Sequence, residues 1–129
     1  MAFDNKKFIR AKKYALSALS LRTERNLERA MTLDLIGQIH LEDDELQEAK
    51  EKVEEAFQIR SRLLTQIDPT HPDLASSYQN LGLYHLKNTD HAIARELLTR
   101  AADIYSRIYL SDHPSLIEVN TYLSKLPRR

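Results

Sequence analysis

The side chains best suited to acid–base or metal chemistry near neutral pH are the five histidines, His40, His71, His85, His91 and His113. No His-Glu-x-x-His occurs, and no two histidines stand four residues apart on a helix, as a metal pair on one helix face would need. The acidic run Glu42-Asp43-Asp44-Glu45 lacks the alternating ligands, glycine and distal glutamate of a calcium loop. There is no cysteine, hence no thiolate nucleophile and no disulfide framework. Serines and aspartates form no nucleophile–base constellation. The residues therefore predict a protein that is not an enzyme and that needs no cofactor and no metal.

The histidines fall into a pattern instead. Gly37 and Gly82 are the only two glycines, and each is followed three residues later by His-Leu, as His40-Leu41 and His85-Leu86. A shift of 45 residues superposes the two stretches without a gap: Ala49 on Ala94, Val53 on Leu98, Ala56 on Ala101, Ile59 on Ile104. A second register of 42 residues relates the phrase beginning His71-Pro72 to the one beginning His113-Pro114.

Each unit reads as two helices. Leu74, Tyr78, Leu81 and His85 form one apolar stripe, and Ile93, Leu97, Ala101 and Ile104 form another. Asp90 suits the N-cap of the second helix. His71 and His113 each precede a proline, which opens a helix at no hydrogen-bonding cost, so a capping or turn role is expected for them. A glycine inside a helix costs about 1 kcal/mol against alanine. Gly37 and Gly82 are expected to let paired helices approach, with Ala49, Ala56, Ala94 and Ala101 on the facing side, small against small. His40 and His85 then become packing residues one turn later.

This arrangement resembles the tetratricopeptide repeat, and its period is closest to the longer, 42-residue kinesin-light-chain-type form. The residues that carry the resemblance are Leu33, Ile36-Gly37, His40, Ala49, Val53 and Ala56 in unit one. In unit two they are Tyr78, Leu81-Gly82, His85, Ala94, Leu98 and Ala101. Histidine replaces the family's usual aromatic at 40 and 85, the proline after the second helix is absent, and His91 stands where the family often has an aromatic. The resemblance implies an all-α fold, a short right-handed helical solenoid. About six antiparallel helices are expected, over 5–22, 27–41, 45–66, 72–87, 91–109 and 114–126. One domain spans 1–129: an N-terminal basic capping helix (1–25), repeat 1 (26–70), repeat 2 (71–112) and a C-terminal capping half-repeat (113–129).

The family's concave groove, carried onto this sequence, implies a peptide-binding surface. It comprises Met31, Asp34, Gln38 and Leu41 from unit one, then Ser76, Gln79, Asn80, Leu83 and Lys87 from unit two. Glu118, Thr121 and Lys125 continue it on the last helix. Gln79 and Asn80 offer both donor and acceptor to an extended peptide backbone. Two lysines are too few for a clamp on chaperone C-termini. The implied function is a protein-interaction module, a scaffold or adaptor, that binds a peptide or helix of a partner protein.

Two other readings follow from the ends of the chain. A short solenoid exposes apolar edges through which two copies can form a homodimer. The N-terminal stretch is basic, with Lys6, Lys7, Arg10 and Lys13 near one face and Phe8, Ala11, Ala15 and Leu19 on another. It could contact nucleic acid or an anionic membrane, but thin aromatic interleaving weighs against the first, and a capping helix with a solvated basic face is expected ahead of either. Net charge is zero, yet residues 1–25 carry +5 and residues 26–57 carry −7. No apolar run reaches the roughly 20 residues of a membrane span. The lack of cysteine fits a reducing, cytoplasmic setting.

Overall fold

The computed structural model describes residues 5–127, apart from the side chains at positions 5, 8 and 19. Phe8 and Leu19, expected on the apolar face of the first helix, therefore lie outside the described side chains. Among the described residues there are five helices and no strand: α1 (Asn5–Glu42), α2 (Leu46–Leu64), α3 (Pro72–Lys87), α4 (His91–Ile108) and α5 (Pro114–Ser124).

The expected first two helices are one. α1 runs unbroken for 38 residues, about 57 Å at 1.5 Å per residue. The expected break at 23–26 falls on Thr23-Glu24-Arg25-Asn26, which contains neither glycine nor proline. Nothing there removes a backbone hydrogen bond, so the helix continues. The other boundaries lie within two residues of expectation, and α3 matches at both ends.

Consecutive helices pack together in chain order, and α1 also touches α3. Only the C-terminal half of α1 joins this body. Ala30 and Leu33 are buried with Ala56 of α2, and Leu41 joins Ala49, Val53, Leu81 and Tyr84. A larger cluster centred on Leu74, Leu98, Ala101 and Val119 joins α3, α4 and α5. Residues 5–22 carry no buried side chain among those described. Those eighteen residues are about 27 Å long at the helical rise.

The glycines do what their spacing predicts, against different neighbours. A Cβ on Gly37 would lie 2.7 Å from Val53 Cγ1, and one on Gly82 would lie 2.8 Å from Leu98 Cγ. Neither glycine has a positive φ, so close approach is the reason for both. The facing alanines are fully buried, but the large Val53 and Leu98 fill the glycine gaps. The contact is large into small, not small against small.

His71 and His113 cap α3 and α5. Their Nδ1 atoms accept from the backbone N–H of Asp73 (3.0 Å) and Ser115 (3.1 Å). His40 and His85 are not core packing residues. Each is half-buried and turns its Nδ1 to the acidic residue that opens the next helix: Glu45 at 3.4 Å and Asp90 at 3.1 Å. Asp90 is the N-cap residue of α4 as expected, but its side chain makes no capping bond; it binds His85 and Asn88 instead. Both turns bring a non-glycine residue to positive φ, Asp44 at 57° and Thr89 at 63°.

Candidate functional site

The first helices of the units, α1, α3 and α5, line one continuous groove. Its apolar end is a cleft of about 210 Å³ walled by Leu41, Leu83, Leu86 and Tyr122, with Glu42, Lys87 and Glu118 at the rim. Gln38 and Asn80 lead from there into a shallower polar stretch with Ser76, Gln79, Tyr105 and Ser115. Helical spacing explains the lining. Gln79, Asn80, Leu83, Leu86 and Lys87 recur at three- and four-residue steps along α3, and Glu118 and Tyr122 are one turn apart on α5.

The polar floor is built rather than merely solvated. Gln38 Nε2 donates to Asn80 Oδ1 across α1 and α3 at 3.2 Å. Asn80 is 3% exposed and Gln79 is 9% exposed. The Gln38–Asn80 bond joins α1 to α3 as well as lining the groove. Ser76 and the Tyr105 hydroxyl lie 3.3 Å apart. Burial raises the Tyr105 hydroxyl above its ordinary value, with the Ser76 hydrogen bond pulling the other way. Burial likewise raises Tyr122, reinforced by the Glu118 carboxylate. Both phenols therefore stay protonated near neutral pH and can donate. Lys87 is held by Asp44 at 3.0 Å, which leaves Glu42 and Glu118 to set the sign of the rim.

Eight of the twelve expected groove residues line this surface: Gln38, Leu41, Ser76, Gln79, Asn80, Leu83, Lys87 and Glu118. The other four do not. Met31 is exposed two turns from Gln38 toward the N-terminus of α1, beyond the residues that line the groove. Thr121 Oγ1 donates back to the Ile117 carbonyl, and Lys125 sits over the Tyr122 ring. Asp34 is buried in an ion pair with Arg60 of α2, whose Nη1 also donates to Ser77 Oγ of α3 at 3.0 Å. Burial pushes the Asp34 carboxyl up, opposed by the Arg60 guanidinium. The residue expected to meet a ligand instead ties three helices together. Glu42, Leu86, Tyr105, Ser115 and Tyr122 line the groove without having been expected there. For Tyr122 the signal was available, since it falls one turn from Glu118 on the same helix.

Lys6, Lys7, Arg10 and Lys13 stand on the projecting half of α1, all exposed, and far along the helix from the groove. Among the described residues, no cluster of three His, Cys, Asp or Glu is placed to hold a metal ion. Among them, too, no helix is long and apolar enough to cross a membrane.

Comparison with curated proteins and with solved structures yields no match. Residues 74–115, which span α3, α4 and the opening of α5, match the family model of the tetratricopeptide repeat.

Proposed function

We propose that this chain is a non-catalytic interaction module, an adaptor or scaffold, that binds a peptide segment or helix of a partner protein in the α1–α3–α5 groove. The observation that carries the reading is the groove itself. It is lined by the first helices of successive units, with an apolar cleft at one end and an amide and hydroxyl floor beside it. The repeat match over 74–115 supports it, because repeats of this kind commonly mediate protein–protein binding. The chemistry narrows the ligand. Leu41, Leu83, Leu86 and Tyr122 suit one apolar anchor side chain, and Glu42 and Glu118 favour a Lys or Arg beside it.

A displayed peptide library selected on the full chain tests this. The reading expects enriched peptides with an apolar residue next to Lys or Arg, and expects that binding to be lost in Leu83→Glu and in Glu42→Lys/Glu118→Lys. Enriched peptides that bind those variants as well as the parent would sink it. Leu83 is only half-buried and both glutamates are exposed, so these variants disturb the core less than changes at Gln79 or Asn80.

A further inference from the structure

α1 carries a second stripe, separate from the face that packs on α2. Ala11, Tyr14, Ala18 and Leu21 follow one another at alternating steps of three and four residues. The same steps continue through Arg25, Glu28 and Thr32 to Leu35 and Ile39. All of these side chains are exposed. Alternating three- and four-residue steps sustained along one helix are the seam of a coiled coil.

The repeat supplies an independent sign that this face is meant to be covered. At 45 residues' spacing, Leu35, Ile36 and Ile39 correspond to Asn80, Leu81 and Tyr84. In unit two α2 lies over that face, and Leu81 and Tyr84 are each 8% exposed. On α1 the corresponding Ile36 and Ile39 are 36% and 58% exposed. No preceding helix covers them, because residues 5–22 run straight on instead of turning back.

We propose that a second copy of this chain covers the stripe, its α1 lying antiparallel across a twofold axis near residues 26–27. Facing residues then have numbers that sum to 53. Arg25 meets Glu28 of the second copy, and Glu28 meets its Arg25. Ala18 meets Leu35, a small residue against a large one, and Tyr14 meets Ile39. Arg10 comes beside Asp43. The contact is isologous, as a closed dimer requires. Charge selects this orientation. Antiparallel packing brings Arg10, Lys12 and Lys13 of one copy to the acidic turn of Glu42, Asp43, Asp44 and Glu45 of the other, whereas parallel packing would stack Arg25 on Arg25. It also accounts for the unbroken helix: Arg25 takes part in the central layer, which it would leave if residues 23–26 formed a turn. In the same register Ala11 meets Glu42 of the second copy, so the pairing borders the groove along its Glu42 rim.

Solution mass by light scattering on the full chain tests this. The parent is expected at twice its 15.0 kDa up to its highest soluble concentration. Leu35→Asp/Ile39→Asp, at exposed sites, is expected to keep its helical circular dichroism and fall to the single-chain mass. Arg25→Glu and Glu28→Arg each place like charges across the axis and lower the dimer fraction; combined, they restore it. In this cysteine-free chain, Ala18→Cys/Leu35→Cys is expected to give a disulfide-linked dimer on oxidation. The two sites are about 25 Å apart along one helix, beyond reach of a disulfide within a chain. A parent at single-chain mass, a two-chain mass in the aspartate variant, or no restoration in the charge-swapped pair would each overturn the proposal.

Discussion

The helix pairs 27–64 and 72–108 share an apolar frame and bury different polar chemistry inside it. Gly37 against Val53 becomes Gly82 against Leu98, and His40 facing Glu45 becomes His85 facing Asp90. Within that shared frame, Asp34 and Arg60 correspond to Gln79 and Tyr105 at the same 45-residue spacing. Unit one thus buries an ion pair where unit two buries an amide and a phenol. The apolar frame sets how closely the helices approach. The polar positions are free to differ so long as each buried group finds a partner.

The largest expected effects come from breaking that rule. Asp34→Gln alone puts unit two's amide into unit one and leaves Arg60 buried without its counter-charge. A loss of about 3–5 kcal/mol is expected from urea unfolding. Asp34→Gln/Arg60→Tyr completes the exchange and is expected to recover most of it. If the single change were as stable as the double, the ion pair would not be what ties α1, α2 and α3 together.

Next in size is the contrast between covered and uncovered faces. Tyr84→Ala removes a ring buried under α2 and is expected to cost about 3 kcal/mol or more. Ile39→Ala, at the corresponding exposed position, is expected to cost about 0.5 kcal/mol or less in a single chain. Equal losses at the two sites would mean that Ile39 is already covered, by its own chain or by Tyr14 of the second copy proposed above.

The glycines sharpen the frame itself. Alanine gains about 1 kcal/mol of helix propensity over glycine, yet its Cβ at 37 or 82 would overlap Val53 or Leu98. Overpacking costs about 1–3 kcal/mol, so Gly37→Ala and Gly82→Ala are both expected to lower the melting temperature. A rise at either site would remove close approach as its reason.

The smallest effect is the acid dependence of the second turn. The His85 hydrogen bond, then that of Asn88, holds Asp90 below its ordinary 3.8. A depressed carboxyl contributes stability above the unfolded value that is lost as pH falls through the folded one. Between pH 4 and the acid limit, the melting temperature of the parent is therefore expected to fall more than that of Asp90→Asn. Parallel acid arms would show that the clasp carries no such linkage.

Much of the fold was legible because it rests on local periodicity. The stripes of α2 to α5, the histidine-proline openings and the glycine positions can all be read without tertiary information. The break before residue 27 was not there to be read. It was inferred from the repeat, while Thr23–Asn26 contain nothing that stops a helix. The groove was legible in part. The family's groove positions, carried onto α3, give Gln79, Asn80, Leu83 and Lys87 together, but Asp34 could not be told from a groove residue. It takes part in the groove or the core according to whether Arg60, 26 residues later, reaches it.

By itself the sequence determined the helical class, the period that stacks one pair on the next and the two points where helices must approach most closely. These follow from side-chain spacing and from glycine's missing Cβ. Tertiary structure alone decided three things. Asp34 and Arg60 are paired in the core, Tyr122 joins the cleft in place of Thr121, and the first helix runs past the body with an apolar stripe uncovered. Each depends on which side chains meet across helices, and burial is a property of the assembled surface rather than of any one segment.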